Sequence, residues 1–255
     1  MRILITLIPL LLLIFIPGNG GTNDLKILIR KSGPWLTNSY LLYDISSKDA
    51  AVIDPGVSID NLTSCIEEND LNLKYILLTH GHQDHIAGLP ELLKRFPDAE
   101  FCISHREYED TGMYAMWRKI FTPKDVEQWE KVPETVQLMD FDYTHVPVPH
   151  IFVTEDTVFK LGDFTLRSII IPGHSRGSAG YYVNNLLFTG DLIVYNSVGY
   201  LEYTLGSRDD IIRSVRKIYG LFPDTAVIHA GHGAASTIGI EKETNKAVTP
   251  DKVKW

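Results

Sequence analysis

The feature that most constrains this chain is the run His80-Gly81-His82-Gln83-Asp84-His85, set directly behind the apolar stretch Tyr75–Leu78. A short continuous apolar run bounded by a polar loop is the pattern of a strand covered on both faces. Such a strand belongs to an α/β domain with further layers on each side. In the extended loop that follows, alternate residues can present two imidazoles together, and Asp84-His85 can face a neighbouring position. Imidazole and carboxylate are a natural ligand set for Zn²⁺. The run therefore predicts a metal site at a strand end, against the blander alternative of a hydrogen-bonded histidine cluster.

Three further ligand-type residues occupy matching settings. His174 lies in Pro172-Gly173-His174-Ser175 behind the strand-like Phe164–Ile171, and Asp191 follows Thr189-Gly190 behind Leu186–Phe188. His232 sits between Gly231 and Gly233 behind Ala226–His229. Each time an apolar run delivers a histidine or aspartate to a glycine-bearing loop, as sites in α/β proteins gather at strand ends. His80, His82, Asp84, His85, His174, Asp191 and His232 are enough for two metals sharing a bridging carboxylate. Asp54, in the turn Asp54-Pro55-Gly56, is placed to accept from a ligand imidazole. His229 reads as a core residue or one that braces a ligand from behind, and His105, His145 and His150 as surface residues, with His150 the one that could approach a pocket mouth.

Lys26–Arg30, Ser39–Tyr43, Ala50–Ile53, Phe101–Ser104, Val158–Leu161 and Gly180–Val183 complete the strand pattern. Asn184-Asn185 signals a hairpin. Ile59–Glu68, capped by Ser58, and Leu89–Phe96 read as helices, as does Arg208–Leu221 with Ile211, Ile212, Val215 and Ile218 on one face. Residues 105–150 differ: Tyr108, Tyr114, Trp117, Phe121 and Trp129 mix with charges and prolines. That stretch reads as a helical insertion of two or three short helices followed by an irregular segment, either a candidate wall over a pocket or, equally, a packed surface helical pair with its aromatics in the core. With 255 residues and no internal linker, residues 25–250 make one domain.

The net charge of −8 argues against nucleic-acid binding, which needs clustered Lys and Arg. Residues 1–20 read as a leader: Arg2, then Ile3–Ile16, apolar except for Thr6, then Pro17-Gly18. The run is shorter than a spanning helix of roughly 20 residues, so a signal peptide is favoured over an uncleaved N-terminal membrane anchor. The protein is accordingly expected to be secreted or anchored on the extracytoplasmic side. Two cysteines, Cys65 and Cys102, make no disulfide framework and read as small buried hydrophobes, though a single bridge between them stays open.

Together these stations resemble the metallo-β-lactamase superfamily. The resemblance implies an αββα sandwich of two mixed β-sheets flanked by helices. The tail Ala226–Asn245 (AVIHAGHGAASTIGIEKETN) is similar to the hydroxyacylglutathione hydrolase (glyoxalase II)-like branch. By that resemblance His80, His82 and His174 would hold one metal, Asp84, His85 and His232 a second, and Asp191 would bridge. Two features depart from the branch. An Arg usual after the bridging Asp is absent from Ser197–Glu202, and the chain ends without the C-terminal helical region that binds glutathione. The resemblance thus implies a dinuclear zinc hydrolase, with iron as the other candidate metal. Its substrate would be a small thioester, ester or lactone, with Asp84 orienting the nucleophile and taking its proton. Tyr195 and Tyr200 are candidates to meet the substrate. The competing functions are a mononuclear iron persulfide dioxygenase using His80, His174 and Asp191, and a non-catalytic exported metal-binding protein.

Overall fold

A computed structural model of the chain describes residues 12–17, 24–114, 138, 141–201 and 205–248. Its architecture is two sheets face to face. The first contains β1 (Leu12–Pro17), β2 (Asp24–Ser32), β3 (Thr37–Asp44), β4 (Asp49–Ile53), β5 (Asn72–Leu77), β6 (Glu100–Ser104) and β7 (Ile151–Val153), hydrogen-bonded in that order. The second runs β13-β12-β11-β10-β9-β8, built from β8 (Val158–Leu161), β9 (Phe164–Ile170), β10 (Ala179–Val183), β11 (Leu186–Gly190), β12 (Val227–Ala230) and β13 (Ser236–Thr237). The helices are α1 (Asp60–Glu68), α2 (Gln83–Ile86), α3 (Leu89–Arg95), α4 (His105–Tyr114), α5 (Arg208–Leu221) and α6 (Ile238–Thr244).

Strand alternation makes the layers. On β3, Tyr40 and Leu42 face the second sheet while Leu41 and Tyr43 face α1 and α3. The inter-sheet core joins Ile27, Leu42, Ile53 and Leu77 to Phe159, Leu166, Tyr181 and Phe188. Outside the second sheet, Ile211, Val215 and Ile218 of α5 pack on Ile169, Leu187 and Ile228. This is the αββα sandwich the resemblance implied.

Several expectations shift in detail. α1 starts at Asp60 with Ile59 at its N-cap position, and no side chain caps it, so Ser58 does not play that part. α5 has the expected bounds, and Ser207 Oγ accepts from Asp210 N. The Asn184-Asn185 turn joins β10 to β11 with Val183 opposite Leu186, and Asn184 takes a left-handed φ of 51°. Cys65 packs on the helical side of the first sheet and Cys102 faces the inter-sheet core, so the sheet separates them and both thiols are free. His150 is exposed and its Nδ1 accepts from Phe101 N at the start of β6, away from the strand ends that carry the site. Of the insertion, α4 and the 3₁₀ turn Tyr143–His145 are seen; 115–137 lie outside the described residues.

The leader region also differs from a segment standing apart. Leu12–Pro17 pairs antiparallel with Asp24–Ile29, putting β1 at the edge of the first sheet. No helix among the described residues is long and apolar enough to cross a membrane.

His229 is the odd member of the core. Its ring is 1% exposed, stacks on Phe188 at 5.2 Å and meets Tyr40 edge-on at 5.5 Å, and neither ring nitrogen has a hydrogen-bond partner. Burial pushes its pKa down to about 4. The folded chain therefore holds His229 neutral where the unfolded chain protonates it. The stability at stake is present above pH ~6.5 and lost as pH falls toward 4. His229→Leu should stabilise the protein at neutral pH, because an unpaired buried polar group is removed. Urea unfolding should show the variant's advantage growing by about 2 kcal/mol between pH 7.5 and 5.

Candidate metal centre

β4 and β5 run parallel, as do β11 and β12, so their C-terminal ends share one edge of the sandwich. The loops there are stitched across the sheets: Ala179 N donates to Thr79 O at 2.8 Å, Gly231 N to Gly190 O at 2.9 Å and Asn38 N to Gly231 O at 2.7 Å. All seven predicted ligand residues come together at this edge. His80, His82 and His174 each present a ring nitrogen within 4.8 Å of the others, and Asp84, His85 and His232 form a second such group. Asp191 lies between them. Its Oδ2 is 3.6 Å from His174 Nε2 and 3.4 Å from His232 Nε2, and its Oδ1 is 3.6 Å from His85 Nε2.

The donors fit a divalent metal. His80 Nε2, His85 Nε2 and Asp191 Oδ1 are buried and make no hydrogen bond, a costly state for polar atoms. Convergent imidazoles and carboxylates are the set that Zn²⁺ and Fe²⁺ both accept.

Four of these seven side chains are held from behind. Asp54, at φ 50°, accepts from Thr79 N at 2.8 Å and Thr79 Oγ1 at 2.7 Å, and its Oδ2 meets His85 Nδ1 at 2.8 Å. Thr79 Oγ1 also contacts His80 Nδ1 at 2.9 Å. His232 Nδ1 is 3.0 Å from the Trp35 carbonyl, and Thr37 Oγ1 donates to Asp84 Oδ2 at 2.6 Å. Trp35 and Thr37 come from the β2–β3 hairpin and escaped sequence analysis. A backbone carbonyl carries no residue signature, and a lone Thr is an unremarkable strand residue. Gly199 closes over the site: a Cβ there would lie 2.7 Å from His174 Nδ1 and collide with the Asp191 carbonyl. Tyr195 and Tyr200, in the same loop, are exposed.

The electrostatics split the site in two. Burial, reinforced by neighbouring imidazoles, holds His80 and His82 well below the usual range, and burial brings His174 to about 4. These three are neutral, the state in which imidazole ligates a metal. Burial alone would lower His85 and His232 too. The carboxylates of Asp84, Asp54 and Asp191 outweigh it for His85, raising it to about 9, and chiefly Asp191 raises His232 to about 11. Burial would conversely raise Asp84 and Asp191, but His85 and His232 hold both carboxyls below their ordinary range.

Asp54 gives a direct test, because Asn tolerates the left-handed backbone there. Asp54→Asn keeps the turn and removes the charge behind His85. Its metal affinity, measured by chelator competition, should fall about 10- to 100-fold with the secondary structure retained.

Comparison with known proteins agrees with this geometry. Residues 32–232 match the family model for the metallo-beta-lactamase superfamily. The chain is 33% identical over 211 residues to "Hydroxyacylglutathione hydrolase GloC" of Haemophilus influenzae, covering 82% of this chain and 91% of that protein. Among solved structures, BLEG-1 B3 metallo-beta-lactamase superposes with a TM-score of 0.68 at 27% identity, over 90% of this chain and 99% of that one. TTHA1623, solved in a di-iron-bound form, superposes with a TM-score of 0.65 at 25% identity, over 85% of this chain and 98% of that one. With its αββα fold and the buried His/Asp cluster at one edge, this chain belongs to the metallo-beta-lactamase superfamily, in its glyoxalase II-like branch.

Proposed function

We propose that the protein is a dinuclear metal-dependent hydrolase, zinc being the favoured metal, acting on a small thioester, ester or lactone. The observation that carries the two-metal reading is Asp191, which reaches both clusters: its Oδ2 is 3.6 Å from His174 Nε2 and 3.4 Å from His232 Nε2, and its Oδ1 is 3.6 Å from His85 Nε2. When bound, two such metals supply a nucleophilic water near neutral pH and a Lewis acid for the carbonyl oxygen. His80, His82 and His174 would hold one, Asp84, His85 and His232 the other, with Asp191 shared.

The remaining work falls to this chain's own groups. Asp84 is ionised and stands at the centre of the second cluster, its Oδ2 3.4 Å from His85 Nε2 and 3.3 Å from His232 Nε2. It is the acceptor available for the nucleophile's proton. The Thr37 hydroxyl donates to that oxygen and fixes its direction. Asp54 and the Trp35 carbonyl hold His85 and His232 at their far nitrogens, so neither ring can turn away. The relative GloC is a hydroxyacylglutathione hydrolase, which favours a thioester. The substitution of the usual Arg within Ser197–Glu202 widens the choice of acyl carrier beyond glutathione.

Elemental analysis of the purified protein beside a panel of thioester, lactone and β-lactam substrates tests the proposal. Two equivalents of zinc with thioester or lactone turnover are expected. Asp84→Asn should lower kcat about 100-fold or more. One equivalent of iron with oxygen uptake on a persulfide would overturn the hydrolase. Export is part of the same proposal, supported by the apolar run Ile3–Ile16. The intact mass of the mature chain decides it: loss of about 20 residues shows a cleaved leader, and would also remove β1 and leave β2 as the sheet edge.

A further inference from the structure

Glu107 is fully buried, at 0% exposure, and none of the chemistry above uses it. It is the third residue of α4, behind Ser104-His105-Arg106. The sequence Ser-x-x-Glu at a helix start is that of a capping box, in which the Glu carboxylate turns back to the N-cap N–H. Half of the box is made, because Glu107 N donates to Ser104 Oγ at 3.2 Å. The carboxylate instead reaches out of the helix, into two loops distant in sequence. Its Oε1 accepts from Gly81 N at 2.9 Å, and its Oε2 accepts from Ser175 Oγ at 2.7 Å and Gly177 N at 3.1 Å.

Those partners define what it holds. Gly81 lies between His80 and His82, and Ser175 immediately follows His174. One carboxylate thus bridges the two backbone segments that carry the three-histidine cluster. Across that bridge His82 Nδ1 and His174 Nε2 face each other at 3.0 Å. At that distance one ring donates its N–H to the other, and a cation lying with them would take both nitrogens as acceptors instead. Other contacts close the assembly. Ser104 Oγ donates to Gly177 O at 2.5 Å, Tyr143 Oη donates to Gly81 O at 3.0 Å, and a Cβ on Gly177 would collide with Glu107 N and Cα.

We propose that Glu107 is the positioning residue of the three-histidine cluster, its buried carboxylate setting the spacing of the His80–His82 and His174 loops so that they can take up a metal. It rests on the metal-centre reading above, and it acts through the ligands rather than on substrate. An amide cannot replace it. Gln presents one acceptor and one donor, so its NH₂ would confront either Gly81 N–H or Gly177 N–H.

The same helix supplies the control. Asp110 is buried and binds Arg176 of the same loop through two hydrogen bonds, 2.9 Å to Nε and 2.5 Å to Nη2, without touching a residue adjacent to a ligand. The test uses Zn²⁺ in competition with a chromophoric chelator and the visible spectrum of the Co²⁺-loaded protein, for the parent, Glu107→Gln, Ser175→Ala and Asp110→Asn. Glu107→Gln should weaken affinity for the first metal about 10- to 100-fold and alter the Co²⁺ bands. Ser175→Ala, the milder variant should Glu107→Gln fail to fold, should give a smaller shift in the same direction. Asp110→Asn should lower the melting temperature and leave affinity and spectrum within about twofold of the parent. Parent-like affinity and spectrum in both Glu107→Gln and Ser175→Ala would overturn the proposal, as would an equal loss in Asp110→Asn. A parent that takes up no metal would fail the metal-centre reading itself and the proposal with it.

Discussion

Burying a carboxylate costs several kcal/mol unless donors or cations meet it, and one edge of this sandwich buries Asp54, Asp84, Glu107 and Asp191 together. That constraint organises the loops around it. Asp54 is met by Thr79 N, Thr79 Oγ1 and His85, and Glu107 by Gly81 N, Ser175 Oγ and Gly177 N. Asp84 takes the Thr37 hydroxyl and, like Asp191, lies beside His85 and His232. The carboxylates divide accordingly. Two are satisfied mainly by backbone and hydroxyl donors and fix loop shape. The other two keep an orientation toward imidazoles that a metal would share. A loop that moved to relax one contact would strand another buried charge, so the contacts restrain one another.

Much of this was legible in the sequence, and the reason is local. His80, His82, Asp84 and His85 stand within one loop, and a buried apolar strand before it names its place in the fold. His174, Asp191 and His232 each repeat that arrangement of strand, glycine and ligand. The strands themselves were visible because their alternation matches the layers, as with Tyr40 and Leu42 inward and Leu41 and Tyr43 outward. Asp54 was visible because the Asp-Pro-Gly turn marks a strand end.

The hidden parts have no local pattern to betray them. Glu107 meets residues 26, 68 and 70 positions away, and its own neighbourhood advertises a helix cap. Trp35 contributes a main-chain carbonyl to His232 from 197 positions away. The pairing of β1 with β2 is a tertiary fact that the apolar run Ile3–Ile16 does not announce, whether or not that run is also a leader.

The placement of the ligands also couples the site to the core. His80, His82, Asp84 and His85 hang from the first sheet, whereas His174, Asp191 and His232 hang from the second. Their spacing is therefore set by how the two sheets pack. The contacts that fix that packing lie directly beneath the loops: Tyr181 Oη donates to Leu78 O at 2.7 Å, and Tyr40 Oη to Ala230 O at 2.5 Å. Each spans the sheets one or two residues from a ligand loop. Each hydroxyl belongs to a buried aromatic ring whose burial drives its phenol pKa up, so both stay protonated donors through the neutral range. A metal held by both ligand sets would in turn cross-link the sheets, and its binding free energy would add to folding stability. Inter-sheet packing and metal affinity are thus two measures of one geometry, which is why a chain with this core has a reason to bury so much charge at its edge.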